Sequence, residues 1–162
     1  MPIRVAVLTV SDQCAAGRRE DISGDTVAAW ASQCGYEISS REVVPDESDR
    51  IAGVLLHWAD GDMADLIVTT GGTGLSPRDV TPEATQAVVD RFVPGLAEGI
   101  RAAGARSTAR SSLSRGVAGT RAQALIVNLP GSPGGVRDGL AAIAPVVEHA
   151  VHILRNQPTD HE

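Results

Sequence analysis

Residues 65–74 read DLIVTTGGTG. Leucine, isoleucine, valine and two threonines in succession have the continuous apolar, β-branched character of a strand covered on both faces. The strand runs straight into Gly71-Gly72-Thr73-Gly74, three glycines in four residues. Glycine permits left-handed backbone and lets amide N–H groups approach an anion. The segment is therefore a phosphate-holding loop or a tight positive-φ turn. Its place between a buried strand and a loop bearing Asp79 favours the first. It is not the dinucleotide fingerprint, because Pro77 stands where GxGxxG counted from Gly72 requires glycine.

On either side the same grammar repeats. Residues 3–10 (IRVAVLTV), 36–44 (YEISSREVV) and 123–129 (QALIVNL) read as further strands. Residues 12–25 are polar and glycine-bearing and read as a long loop. Thr26 to Gln33 suit a helix, with Ser23 or Asp25 as N-cap and Gly35 as C-cap. Residues 46–60 carry the amphipathic stripe Ile51, Val54, Leu55, Trp58. Thr81-Pro82-Glu83 predicts a helix with Thr81 as N-cap and Pro82 at the first helical position, ending near Phe92. Another helix runs from Pro94 to Gly104. Residues 105–121 are rich in serine and arginine and give no clear periodicity. The tail, about 136–155, holds a helical seam from Val136 to Leu154, with a kink expected at Pro145. Strands alternating with helices predict right-handed crossovers and a mostly parallel sheet covered on both faces. At 162 residues the chain is expected to form one domain, 1–162.

Composition narrows the function. The formal net charge is −6 and aromatics are only 2%, so neither a basic nucleic-acid surface nor a base-stacking platform is expected. All fourteen cationic side chains are arginine. Without lysine there is no Walker-type phosphate loop and no Schiff-base chemistry. Cys14 and Cys34 form no CxxC, and the N-terminal apolar run is too short for a leader or a span. The expectation is a soluble, cytoplasmic protein, with no membrane partner.

Ligands of such sheets sit beyond the carboxyl ends of the strands. Those ends carry Ser11 and Asp12, then Asp46, then Gly71–Gly74 with Asp79 beyond, then Pro130, Gly131 and Ser132. Acids, hydroxyls and glycine turns suit a magnesium–nucleotide complex held by carboxylates and amides. Asp46 and Asp79 are equally readable as a helix cap and a turn residue, and Ser132 as a turn closer. The arginines at 101, 106, 110, 115 and 121 read as a solvated face, with one near the site free to clamp phosphate. His149 and His152 share a helix face, but no third metal ligand stands near in sequence.

LTVSD (8–12), DISG (21–24), VVPDE (43–47), TTGGTGLSPRDVTPEAT (69–85), PGL (94–96), LSR (113–115) and NLPGSP (128–133) together resemble the MogA/MoaB family of molybdenum cofactor biosynthesis proteins, which includes the G domains of gephyrin-like fusions. The resemblance covers nearly the whole chain. It implies a three-layer α/β sandwich, a homotrimer, and Mg-ATP-dependent adenylylation of molybdopterin with release of pyrophosphate. It implies that Asp46 and Asp79 serve catalysis and Mg²⁺, and that Gly71, Gly72, Thr73 and Gly74 hold pterin or phosphate. It further implies that Ser114 contacts ligand, and that Pro130, Gly131 and Ser132 line the pocket, with Ser11 and Asp12 beside it. A molybdenum-inserting protein is the implied downstream partner. Gln13 departs from the arginine or threonine of many members. The alternative reading is a non-catalytic molybdopterin-binding or scaffold protein of the MoaB-like branch. A CinA-like pyrophosphatase is a third, though such proteins carry a further domain.

Overall fold

Three largely apolar runs form the centre of a six-stranded sheet in the computed structural model, which describes residues 1–158. The strands are β1 (Arg4–Val10), β2 (Glu37–Val44), β3 (Leu66–Thr70), β4 (Arg91–Phe92), β5 (Ala118–Arg121) and β6 (Ala124–Leu129). Their order is β2-β1-β3-β6-β5-β4. The four on the β2 side run parallel, β5 runs antiparallel to β6, and the edge strand β4 runs antiparallel to β5. β1 and β3 are buried almost throughout, as runs without polar alternation require. The helices are α1 (Asp12–Ala15), α2 (Ile22–Gln33), α3 (Ser48–Asp60), α4 (Thr81–Val88), α5 (Pro94–Ala105) and α6 (Pro133–Leu154), with a 3-10 turn at Ala109–Leu113.

Side chains alternate across each strand and feed two cores. Val5, Val7, Leu66, Val68, Leu125 and Val127 meet Val27 of α2, Ile100 of α5 and Val136, Leu140 and Ile143 of α6. Ala6, Leu8, Ile67 and Ile126 meet Ile51, Leu55 and Trp58 of α3 and Ala84 and Val88 of α4. This is the three-layer α/β sandwich expected. Trp58, fully buried, replaces much of what the aromatic-poor sequence lacks.

Several boundaries differ from the sequence reading. The segment read as loop contains α1 and the first turn of α2, whose N-cap is Asp21, not Ser23 or Asp25; its carboxylate accepts from Gly24 N at 2.9 Å. Gly24 is a packing residue, since a Cβ there would lie 2.2 Å from Asp21 Oδ2 and 2.8 Å from Thr9 Oγ1. Ser23 donates to the Gly131 carbonyl at 2.6 Å. Thr81 is the first residue of α4 and caps nothing; its hydroxyl donates to Gly71 O. α4 stops at Val88 because residues 90–93 join the sheet, with Asp90 N on Thr120 O and Val93 N on Ala118 O. The unassigned stretch 105–121 holds the 3-10 turn and β5. α6 begins three residues early and passes through Pro145, which lies on its exposed face, where water reaches the freed carbonyl.

Candidate functional site

The carboxyl ends of β2, β1, β3 and β6 lie level, with Val10 opposite Val44, Thr9 opposite Thr70 and Thr70 opposite Leu129. The chain leaves β1 in one direction toward β2 and returns to place β3 on its other side. A crevice opens at such a switch point. Every loop the sequence singled out meets there.

The first two loops lock together. Asp46 Oδ2 accepts from Asp12 N at 2.9 Å, and Asp12 Oδ1 accepts from Asp46 N at 3.0 Å. Arg78 grips Asp12 with two donors, at 3.1 and 2.8 Å. That guanidinium, then the Asp46 amide, holds the Asp12 carboxyl below its ordinary range. Asp46 goes the other way. Burial, and after it the negative charges of Asp12 and Asp79, push its carboxyl up. Ser11 Oγ accepts from Cys14 N and caps α1.

The glycine turn is left-handed at Gly71 (φ 89°) and Gly72 (φ 69°). A Cβ on Gly71 would lie 2.3 Å from Val10 O, and on Gly72 2.2 Å from Thr81 Oγ1 and 3.2 Å from Asp46 Oδ1. A Cβ on Gly74 would lie 2.8 Å from Asp79 Oδ2. The two aspartates thus flank the turn. Among the described residues, the N–H groups of Gly72, Thr73 and Gly74 donate to no protein acceptor. Asp79 Oδ2 itself accepts from Ser76 N at 3.0 Å.

Arg115, read from sequence as part of a solvated face, is a clamp on this loop. Its Nε donates to Gly74 O and its Nη2 to Asp79 O, both at 2.8 Å, while Nη1 pairs with Glu83. Arg101 likewise donates to the carbonyls of Ser114 and Gly116. Arg115 and Arg78 were missed as site residues because their partners lie 36 and 66 positions away.

Two cavities result, of about 630 and 930 Å³. Gly72, Asp79, Gly131 and Ser132 line both and form the partition. The smaller holds Ser11, Asp12, Glu20, Asp21, Asp46 and Gly71, with Arg19 and Arg78 as its cations among the described residues. Gln13, also on its wall, accepts from Arg18 Nε. The larger holds Thr73, Gly74, Ser114 and Pro130, with Arg110, Arg137 and Asp138. It also meets the N-terminus of α6, where Ser132 accepts from Gly135 N at 3.1 Å. All the expected site residues line one or both cavities; Ser114 and Pro130 lie on the arginine side. Among the described residues, no group of three or more His, Cys, Asp or Glu is placed to hold a metal ion. Nor is any helix long and apolar enough to cross a membrane.

The profile of a probable molybdopterin binding domain matches residues 6–149. The chain is 38% identical over 156 residues to the molybdopterin adenylyltransferase of Helicobacter pylori, spanning 94% of this chain and 88% of that protein. It is 35% identical to the Escherichia coli enzyme of the same name, over 87% of this chain and 73% of that one. The crystal structure of the molybdopterin biosynthesis enzyme MoaB from Thermus thermophilus superposes with a TM-score of 0.90 at 49% identity, covering 96% of this chain and 98% of that one. CinA from Thermoplasma acidophilum, at 18% identity and a TM-score of 0.68, shares the fold. The glycine turn between two aspartates thus sits in a chain that belongs, over nearly its full length, to the molybdopterin-binding-domain family of molybdenum cofactor biosynthesis proteins.

Proposed function

We propose that the chain, acting as one unit over residues 1–162, is a molybdopterin adenylyltransferase. The observation that carries this reading is the pair of cavities, one net acidic and one with its arginines and aspartates in balance, meeting at one glycine-and-aspartate partition. Two substrates seated in them bring their reacting groups together at Gly72, Asp79, Gly131 and Ser132. An oxygen of the molybdopterin phosphate attacks the α-phosphorus of ATP, the bond from that phosphorus to the bridging oxygen breaks, and pyrophosphate leaves. The attacking phosphate monoester is largely dianionic at neutral pH, so no histidine or lysine base is needed. Catalysis then rests on positioning and charge neutralisation. The free amides at 72–74, the α6 N-terminus, Arg110 and Arg137 supply donors for phosphate oxygens.

The residues fit Mg²⁺. Hard carboxylate oxygens on Asp46 and Asp79 face a pocket in which burial, and after it the negative charges of Asp12 and Asp79, raise the Asp46 carboxyl. Two protein carboxylates completed by substrate phosphates is the arrangement this ion favours. Bound there, it would supply charge neutralisation on the triphosphate. The remaining expectations from family resemblance, a homotrimer, a cytoplasmic location and a molybdenum-inserting partner, belong to the same proposal. Light scattering checks the trimer, and a monomer contradicts it.

The deciding assay is pyrophosphate release from ATP with added molybdopterin and Mg²⁺. Release that depends on molybdopterin is expected. Binding of both ligands without release would instead make the chain a non-catalytic molybdopterin-binding protein.

A further inference from the structure

Thr70 ends β3 and is only 1% exposed. Its hydroxyl is the one buried side-chain polar atom among the described residues with no hydrogen-bond partner. Its neighbours on the sheet are fully engaged. Thr69 Oγ1 accepts from Asn128 Nδ2, which also donates to Thr85 of α4. Thr70, next along the strand, faces the opposite side, toward α2 and α6. There its register partner Thr9 donates to Asp21 at 2.7 Å. Thr70 lines the smaller, acidic cavity beside Gly71 and Asp46. A buried hydroxyl without a partner costs stability, and its persistence calls for an explanation outside the chain's own bonding.

We propose that the Thr70 hydroxyl is a specificity-determining hydrogen-bond partner for a flat nitrogen heterocycle, an adenine or a pterin ring, seated in the acidic cavity. This assignment rests on the adenylyltransferase reading, in which both substrates carry such a ring. Away from Asp46 and Asp79, which would hold Mg²⁺ beside the partition, the cavity lining favours a neutral group over an anion. Asp12, Glu20 and Asp21 outnumber Arg19 and Arg78, and Arg78 is committed to Asp12. The α2 N-terminus that opens into it is already capped by Asp21. Phosphates have better donors across the partition, at the amides of 72–74 and at Arg110 and Arg137. A heterocycle edge presents both N–H donors and ring-nitrogen acceptors. The carboxylates accept from the donors, and a hydroxyl supplies the neutral donor that an acceptor nitrogen needs.

The test compares wild type, Thr70→Val and Thr70→Ser by calorimetric titration with AMP, 6-hydroxymethylpterin and inorganic pyrophosphate, alongside thermal unfolding. Thr70→Val replaces the hydroxyl by a methyl of similar shape. It is expected to weaken AMP or the pterin about tenfold, to leave pyrophosphate binding unchanged, and not to lower the unfolding midpoint. Thr70→Ser is expected to bind as wild type does. The ligand that weakens identifies which ring the cavity takes. Equal ring binding by wild type and Thr70→Val overturns the assignment alone. So does a lowered midpoint with unchanged binding, which would mean that the hydroxyl is satisfied inside the protein. Weakening of pyrophosphate instead overturns the ligand class. Wild type that binds neither ring-bearing ligand overturns this assignment and the adenylyltransferase reading together.

Discussion

Gly72→Ala adds one methyl group at the centre of the site, and the structure sets what it costs. The backbone there has φ 69°, a conformation that costs an L-residue about 1–2 kcal/mol. The new Cβ would lie 2.2 Å from Thr81 Oγ1 and 3.2 Å from both Thr81 Cβ and Asp46 Oδ1. Thr81 is fully buried, with its hydroxyl on Gly71 O at 3.0 Å and its amide on Gly72 O at 3.1 Å. It cannot turn aside without giving up a buried bond, so overpacking adds about 1–3 kcal/mol. The expected loss is about 2–5 kcal/mol, within the stability of a domain this size, so the variant still folds. Urea denaturation measures it as a fall in midpoint at constant slope. Gly99→Ala, on an exposed face of α5 with nothing within 4 Å of the added Cβ, is the control and should gain about 0.5–1 kcal/mol. Because Asp46 must also give way, affinity for Mg-ATP should fall at least tenfold. A loss under about 1 kcal/mol with affinity retained would refute the claim that this turn is closed to any side chain.

Asp79→Asn keeps an acceptor for the Ser76 amide but removes the charge; molybdopterin-dependent pyrophosphate release should drop at least ~100-fold, and near wild-type turnover would remove Asp79 from its assigned role. Arg115→Lys leaves one ammonium where a planar fork holds Gly74 O, Asp79 O and Glu83, so kcat should fall about tenfold or more with far-ultraviolet circular dichroism unchanged. Remote from the site, Asp65 is buried, which pushes its carboxyl up, yet bonds from the Arg4 side chain and amide and the charges of Arg4 and Arg155 outweigh this and hold it below the usual range. A depressed native value stabilises above the unfolded value of about 4 and loses that contribution as pH falls through the native one. Asp65→Asn should therefore cost about 3 kcal/mol near pH 7, and the gap to wild type should close in acid; a gap independent of pH would refute the ion-pair account.

The parallel centre of the sheet was legible because residues 5–10, 66–70 and 124–129 are largely apolar, β-branched runs without polar alternation, a pattern set by burial on both faces. β4 and β5 were not, because two and four residues containing arginine and glycine carry no periodicity of their own and are strands only through pairing, β5 with β6 and β4 with β5. The start of α2 was lost for a related reason. Gly24 signals a loop in isolation, but in the fold it clears space for Asp21 and Thr9. At the site, Asp46, Asp79, Ser132 and the glycine turn were found from their position at strand ends. Arg115, Arg78 and Thr70 were not. Two are defined by contacts across the chain, and the third by a contact it lacks, which no spacing encodes.

The exchange of amides between Asp12 and Asp46 has a mechanical corollary. Each carboxylate is seated on the other's backbone, so neither side chain can swing independently, and the rims of β1 and β2 must travel as one body. Whatever compliance the mouth has when substrates enter or pyrophosphate departs must come from the opposite rim, residues 74–79. That rim is fastened to its surroundings by two guanidinium groups, those of Arg78 and Arg115, which work like releasable latches beside a fixed jamb.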